Sequence, residues 1–220
     1  MTGIDLVKAA QTKLGVVEKG GADGKSGNIV EFWTWWKSVT GKNLQGQSWC
    51  ASFVSWCFAQ ISASSLVAAE NKFGFVYCPN GVAFFKKKNQ LIKPEDAQPG
   101  DVIFFDWGGK GIANHVGIVE SNNKTFLTTI EGNTSAEGAN GSQQNGGGVY
   151  RRKRYFGKTI HAVARPTARF TPSCRSSIVS ILSSTITSQS SITCLASLYL
   201  SAFLDSNLMP FMISFSRTVL

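Results

Sequence analysis

The chain has 220 residues and a formal net charge of +9. Its length is sufficient for one good-sized core or for a domain of about 150 residues with an appendage. Its five cysteines are odd in number and lack CxxC or zinc-type spacing, which argues against a disulfide scaffold and a zinc site. The basic surplus favours a polyanionic neighbour, but charge alone does not choose among nucleic acid, anionic lipid and an acidic wall polymer.

The first half of the chain predicts helices. Thr2 followed by Asp5 resembles a capping box, and apolar residues recur at helical spacing, so we predict an amphipathic helix over residues 3–14. Ser26 or Asn28 is placed to cap a second helix through IVEFWTWWKSV. A third helix is predicted around the run WCASFVSWCFAQI, and a shorter one at GVAFFKKKNQL.

The second half of the chain predicts strands. Five short β-rich runs are separated by turn signals: VIFFDW, HVGIVES, TFLTTIEGN, GVYRRKRYF and TIHAVARP. Helices followed by an antiparallel meander indicate an α+β domain. Residues 135–148 have too little apolar surface to pack, so we predict a mobile loop there. The basic run RRKR at 151–154 is interpreted as a solvated strand face, because no nucleic-acid-binding motif accompanies it.

The composition changes near residue 166. All 22 glycines precede this point, whereas the residues after 170 contain no lysine, one acidic residue (Asp205) and many Ser and Thr. We therefore predict a domain over 1–166 and a tail over 167–220 that is not an independent domain. The most apolar piece of the tail, ITCLASLYLSAFL, is shorter than the roughly 20 residues of a membrane span, so no stable span is expected. The abrupt change suggests that the tail is translated out of its original frame.

Cys50 and Cys57 lie seven residues apart in the third predicted helix, over 49–61. Two helical turns separate them by about 10 Å along the axis, whereas a disulfide needs Cα atoms within about 7 Å, so no bridge or shared metal ion is expected. Cys57 lies among large apolar residues and is interpreted as core. Cys50 lies in the first turn, where unpaired N–H groups and the helix dipole favour a thiolate, the nucleophilic form.

Two histidines are the candidate bases for Cys50. His115 begins the strand HVGIVE after a glycine-containing loop, where its side chain can face a cleft, whereas His161 lies within the last strand and is interpreted as structural. A cysteine nucleophile needs an imidazole within reach, and the imidazole needs an acceptor. Glu131 and Asn133 are two apart on a strand and so project from the same face. Either could orient His115 while the other polarises or positions substrate.

The ordered series WCASFVSWC, QPGDVIFFDWGG, NHVGIVES, TIEGNTS and ARP resembles the CHAP family, the cysteine- and histidine-dependent amidohydrolases/peptidases of bacterial and phage wall lysis. The similarity spans nearly all of residues 1–166. It implies a papain-like (NlpC-type) α+β fold with N-terminal helices on an antiparallel sheet, and hydrolysis of an amide bond in peptidoglycan. By this resemblance Cys50 matches the nucleophile, His115 the general base, and Glu131 with Asn133 the polar pair that orients the histidine.

Further expectations concern the surroundings of the nucleophile. The backbone N–H of Cys50 is the expected oxyanion donor, because it lies at a helix start. Gln47 or Gln45 is the candidate side-chain partner. Tryptophans at helical spacing are mostly core, so only Trp49 and Trp107 are expected near the site as substrate-binding residues.

No metal or other cofactor is predicted. Some CHAP enzymes bind calcium in an Asp-rich loop ahead of the cysteine, but the corresponding stretch here offers only Glu18 and Asp23.

Peptidoglycan is the expected partner, and we expect a monomer that binds no nucleic acid. The first apolar stretch, MTGIDLVKAAQTKLGVVE, contains charges and lacks the continuous hydrophobic segment of an ordinary secretory signal. Synthesis in the bacterial cytoplasm and release to the wall by another route, as in phage or prophage lysis, are therefore expected. The alternatives are a catalytically silent wall-binding protein on the same fold and a basic nucleic-acid binder. The set of Cys50, His115, Glu131 and Asn133 argues against the first, and the lack of a reading element argues against the second.

Overall fold

The computed structural model describes residues 2–20 and 27–167 of the chain. Within them, helices precede strands, so the α+β class predicted from the sequence is confirmed. The helices are α1 (Gly3–Gln11), α2 (Glu31–Thr40), α3 (Cys50–Gln60) and α4 (Cys78–Lys87), with 3₁₀ turns at Ser64–Val67 and Pro94–Asp96. The strands are β1 (Leu91–Ile92), β2 (Val102–Phe105), β3 (His115–Asn122), β4 (Phe126–Thr134), β5 (Gly148–Tyr155) and β6 (Ile160–Ala164).

The strands form one six-stranded antiparallel sheet in the order β1-β6-β2-β3-β4-β5. Strands β2 to β5 follow one another as a meander, and β6 returns to the free edge of β2. In the register of β3 and β4, Gly117 lies opposite Glu131. Because alternate residues of a strand share a face, His115 and Gly117 lie on the face that also carries Glu131.

Helix α3 lies at the centre of the larger of two clusters of buried apolar residues. Eight of its eleven residues are buried, α1 and α2 pack on it, and it lies against β3 and β4. Gly132 allows this close approach, because a Cβ there would lie 2.7 Å from Phe53 Cβ and 2.8 Å from Trp49 Cζ3. The first turn of α3 is thereby held against the sheet near the start of β3.

The N-terminus of α2 differs from the prediction. Its N-cap is Val30 and no side chain caps it, so the prediction that Asn28 caps this helix is wrong. Asn28 instead adopts a left-handed φ of 67°, and Ser26 lies outside the described residues. The carboxamide of Gln45 satisfies the Val30 backbone, since its Oε1 accepts from Val30 N at 2.9 Å and its Nε2 donates to Val30 O at 3.1 Å.

Strand β5 contains the basic run, and it alternates between two environments. Arg151 and Lys153 are exposed, whereas Arg152 and Arg154 are buried, at 8% and 7% relative exposure. The prediction of a solvated face is therefore wrong for Arg152 and Arg154. Successive side chains of a strand point to opposite faces, and one face of β5 is covered here.

The segment between β4 and β5 has little apolar packing, as its composition predicts, but polar contacts tie it to the strands. Thr134 Oγ1 donates to Gln143 O at 3.1 Å, and Ser135 N donates to Ser142 O at 3.1 Å. Its predicted mobility stays a prediction.

The predicted tail lies outside the described residues from residue 168 onward, and the boundary near 166 stays a prediction. No helix in the described part of the chain is long and apolar enough to cross a membrane.

Candidate active site

Three of the four predicted catalytic residues lie on adjoining elements. Cys50 is the first residue of α3, His115 is the first residue of β3, and Glu131 lies on β4. Cys50 retains 3% relative exposure, whereas His115 and Glu131 have none. Their interactions are therefore shielded from water, which strengthens electrostatic effects among them.

The loop before His115 is shaped by one acidic side chain. Asp106 accepts backbone hydrogen bonds from Gly108 at 3.1 Å and from Gly111 at 2.6 Å. Asn114 closes the loop, because its Oδ1 accepts from Trp107 N at 3.1 Å and its own N donates to Phe105 O at 2.8 Å. This turn places the next residue, His115, at the mouth of β3.

Glu131 is the carboxylate that contacts the histidine. Its Oε2 lies 2.9 Å from His115 Nε2, which leaves Nδ1 as the second ring nitrogen. This Nδ1 is buried and has no hydrogen-bond partner among the described residues. Because Nε2 is engaged by Glu131, Nδ1 is the nitrogen available to exchange a proton with Cys50.

The ionisation of the three groups is linked. The pKa of Cys50 is well below the usual thiol value because the Cys78 thiol hydrogen-bonds its sulfur and outweighs burial, with further contributions from His115 and the N–H of Val116. Burial disfavours the His115 cation, yet Cys50 and Glu131 overcome it and raise the His115 pKa to about 9. These directions predict a thiolate and imidazolium pair at neutral pH.

Cys78 is a site residue that the sequence analysis missed. It is the first residue of α4, it is buried, and its Sγ lies 3.9 Å from Cys50 Sγ. Its own pKa is raised because it hydrogen-bonds the Cys50 sulfur and because it is buried. The available signal was Pro79, since proline favours the first positions of a helix. It places the start of this helix three residues before the predicted start at Gly81.

No hydrogen bond joins Asn133 to His115. A register shift between Glu131 and Thr134 interrupts the ladder, and Asn133 has a left-handed φ of 58°, so regular strand alternation does not continue from Glu131 to Asn133. Its Nδ2 donates to Asn145 Oδ1 at 3.0 Å, and its Oδ1 is buried without a partner among the described residues. Of the two candidates, Glu131 is therefore the one that can orient the imidazole.

The two tryptophans predicted near the site lie in different environments. Trp49 is fully buried, stacks on Phe32 at a centroid distance of 5.4 Å, and donates from Nε1 to Glu18 Oε2 at 2.7 Å. Trp107 is half-buried and stacks on Phe105, whose ring lies 5.9 Å from that of His115. A role for either ring in substrate binding stays a prediction, and Trp107 has the more accessible ring.

The candidates for the side-chain oxyanion donor are distinguished by their contacts. The carboxamide of Gln45 is hydrogen-bonded to the Val30 backbone at the start of α2, and its Nε2 also donates to Thr34 Oγ1 at 3.2 Å. Gln47 is exposed, and its backbone carbonyl accepts from Trp33 Nε1 at 2.9 Å. Gln47 is therefore the better placed of the two for contact with a substrate.

The candidate calcium loop is only partly described. Glu18 belongs to the described residues and holds Trp49, whereas Asp23 lies outside them. In the part of the chain that the structure describes, no group of three or more His, Cys, Asp and Glu residues is arranged to hold a metal ion. The expectation that no metal is required stays a prediction.

A thiol at a helix start, an imidazole and a carboxylate in buried contact define a class of site suited to nucleophilic acyl transfer. The family model of the CHAP domain matches residues 41–133, a segment that includes all four predicted catalytic residues. For the matched segment, this likeness indicates the papain-like fold of a family of amidase and peptidase hydrolases. No curated protein and no solved structure matches the chain.

Proposed function

We propose that this protein hydrolyses an amide bond of bacterial peptidoglycan with Cys50 as the nucleophile. The observation that carries the proposal is the buried contact of His115 Nε2 with Glu131 Oε2 at 2.9 Å, beside a thiol at the start of α3. The bond is either the N-acetylmuramoyl-L-alanine amide or a peptide bond of the stem or cross-bridge. We propose phage-type lysis as the setting, with synthesis in the cytoplasm and action at the wall after release.

The chemistry begins with attack of the Cys50 thiolate on the amide carbonyl carbon. A C–S bond forms, and the carbonyl electrons move to the oxygen, which the N–H of Cys50 is placed to stabilise. The C–N bond then breaks while the His115 imidazolium gives its proton to the leaving amine. In the second half, neutral His115 takes a proton from water, which attacks the thioester and releases the acid and the Cys50 thiolate.

The remaining residues have supporting roles in this proposal. Glu131 holds the imidazole with Nε2 occupied, and Cys78 stabilises the thiolate by donating its S–H. Asn133 holds the loop after β4 and offers its unpartnered Oδ1 toward a polar group of the substrate. Trp49 and Trp107 are the proposed substrate-binding residues, and Trp107 has the more accessible ring.

The test compares two cysteines of the same helix. Purified protein is added to isolated bacterial cell walls, and the loss of turbidity is followed for the wild type, Cys50→Ala and Cys57→Ala. We expect Cys50→Ala to lose about 1,000-fold or more of the rate and Cys57→Ala to retain it, because removal of a nucleophile disables the whole catalytic unit. Mass spectrometry of the released fragments then identifies the new N-terminus and hence the bond.

The main alternative is a catalytically silent wall-binding protein. It predicts that the wild type sediments with the walls but releases no fragment, and that Cys50→Ala behaves in the same way. The net charge of +9 agrees with binding to an acidic wall polymer under either proposal.

For residues 167–220 we propose no role in catalysis. A chain that ends at Pro166 is expected to bind and lyse walls as the full chain does. Loss of either property in the shortened chain would contradict this.

A further inference from the structure

The carboxylate of Glu131 is fully buried, and the catalytic residues alone do not balance its charge. A buried ionised group is stable only when it is paired and hydrogen-bonded. The proton of the His115 imidazolium already balances the thiolate of Cys50 in the predicted ion pair. The trio of thiolate, imidazolium and carboxylate therefore carries one net negative charge in a largely buried site.

Arg154 supplies the missing positive charge. Its Nε donates to Glu131 Oε1 at 2.7 Å and its Nη2 donates to Glu131 Oε2 at 2.5 Å, which is a bidentate pair. Thr129 Oγ1 also donates to Oε1, at 2.5 Å. Both carboxylate oxygens of Glu131 thus accept hydrogen bonds from Arg154. One of them, Oε2, is also the oxygen that contacts His115.

The guanidinium of Arg154 is itself fixed in place. It lies 4.8 Å from the centroid of the Trp107 ring and 5.2 Å from that of Phe105, and its Nη1 donates to Gln143 Oε1 at 2.7 Å. The side chain is only 7% exposed. A planar guanidinium that is stacked on aromatic rings is restricted to one orientation. Arg154 can therefore determine the position of the Glu131 carboxylate.

We propose that Arg154 is a positioning residue of the active site, which keeps Glu131 ionised and aimed at His115 and so maintains the Cys50 thiolate. The inference rests on the proposed function only for its activity readout. Without Arg154, the buried trio gains a proton to remain neutral, and the thiol of Cys50 is the group that keeps it. Loss of Arg154 therefore lowers the thiolate fraction of Cys50 at a given pH.

Arg152 provides a matched control. It lies two residues before Arg154 on the same face of β5 and is almost equally buried, at 8%. It shares the Gln143 Oε1 acceptor at 2.9 Å and also donates to Ser135 O at 2.6 Å, but no hydrogen bond joins it to Glu131. A substitution at Arg152 thus reproduces the loss of a buried arginine and of contacts to the loop without removing a hydrogen bond from the catalytic carboxylate. The charge of Arg152 acts on Glu131 only at longer range, so a smaller effect is expected.

The first experiment needs no substrate. The full chain is prepared as wild type, Arg154→Gln, Arg154→Lys and Arg152→Gln, with folding checked by thermal unfolding. The rate of alkylation of Cys50 by iodoacetamide is measured against pH by peptide mass spectrometry. We expect the midpoint of the rate profile to rise by about 1 pH unit in Arg154→Gln, because the lost charge acts on Cys50 through Glu131 and His115. Arg154→Lys is expected to rise less, and Arg152→Gln less than half as much as Arg154→Gln.

The second experiment uses the cell-wall assay. Arg154→Gln is expected to lower kcat at least tenfold with KM changed by less than about twofold, and Arg154→Lys to restore part of the loss. An unchanged midpoint in Arg154→Gln, or an equal shift in Arg152→Gln, overturns the inference. If Arg154→Gln does not fold, Arg154→Lys decides in its place through the cell-wall assay. Lysine keeps the charge but lacks the bidentate contact, so a kcat equal to that of the wild type would overturn the positioning role.

The two proposals fail separately. If the wild type releases nothing from walls while Arg154→Gln still shifts the Cys50 profile, the proposed function is wrong and the positioning role stands. If the wild type lyses walls and Arg154→Gln does so equally well, the function stands and the positioning role is wrong.

Discussion

The start and the middle of α3 hold the same side chain in opposite electrostatic states. Cys50 and Cys57 are both buried, at 3% and 0% relative exposure. Burial raises the pKa of Cys57 well above the usual value, whereas the pKa of Cys50 is lowered by Cys78 and then His115 against the same effect of burial. Burial alone therefore does not decide thiol reactivity in this helix. The groups that α4 and β3 bring to the start of α3 decide it.

The largest effect is expected from removing the imidazole. In His115→Ala the thiol of Cys50 loses its cationic partner, so its pKa rises toward that of Cys57 and the leaving amine has no proton donor. We expect the rate on cell walls to fall about 1,000-fold or more, at the upper end of what acid–base catalysis contributes. Alkylation rates of the two cysteines measured on one sample show whether they have become similar. A variant in which Cys50 stays the more reactive by the wild-type margin would contradict this.

Glu131→Gln is expected to have the next largest effect, visible in the pH profile. As the pH rises through about 9, the wild-type His115 loses the proton that the leaving amine needs, so the rate falls on the alkaline side. The charge of Glu131 helps to raise that pKa, and its removal moves the alkaline limb to lower pH. We expect a kcat about 100-fold lower as well. The check is kcat/KM measured from pH 5 to pH 10, and an alkaline limb that stays in place would count against the assignment.

Cys78 offers a smaller and more selective change. Cys78→Ala removes the hydrogen bond that most lowers the pKa of Cys50, so the acid limb of activity is expected to move upward by about 1 pH unit. Cys78→Ser keeps a hydroxyl donor and is expected to lie nearer the wild type. Equal profiles for the two variants would show that the contact only fills space.

The smallest effect on activity is expected at Cys57. Cys57→Ala leaves the site intact, so the rate on cell walls is expected to stay within about twofold of the wild type. The lost packing is expected to lower the free energy of unfolding by about 1 kcal/mol. Denaturant titration of this variant beside Cys50→Ala separates the two roles, since a large loss of activity at unchanged stability would place Cys57 in the site.

Local sequence signals were sufficient for much of this site. The polar loop before WCASFVSWC places Cys50 at a helix start, and the glycine-containing loop before HVGIVE places His115 at a strand start. Both placements depend on residues that are neighbours along the chain, so they can be predicted from a single sequence. The antiparallel runs also fix the α+β class, because each alternates or is continuously apolar over a short length.

The contacts that the sequence did not reveal depend on pairing at long range. Cys78 reaches Cys50 across 28 residues, and its helix was predicted to start too late. Asn133 was expected to share a face with Glu131, but an irregularity in the β4–β5 ladder breaks the period of two there. The buried half of RRKR could not be distinguished from a solvated face, because nothing in the strand itself shows that a loop and the carboxylate of Glu131 cover Arg152 and Arg154.

The glycine opposite Glu131 limits which sequences can keep this site. A Cβ at Gly117 would lie 2.5 Å from Glu131 Cγ, and the carboxylate is already gripped at both oxygens and has little freedom to move aside. In a library of all single substitutions, position 117 will therefore be depleted about as strongly as position 50, although glycine has no group that can react. A survey of tolerated mutations would therefore mark Gly117 as part of the active site. A redesign of the sheet must keep glycine at this position.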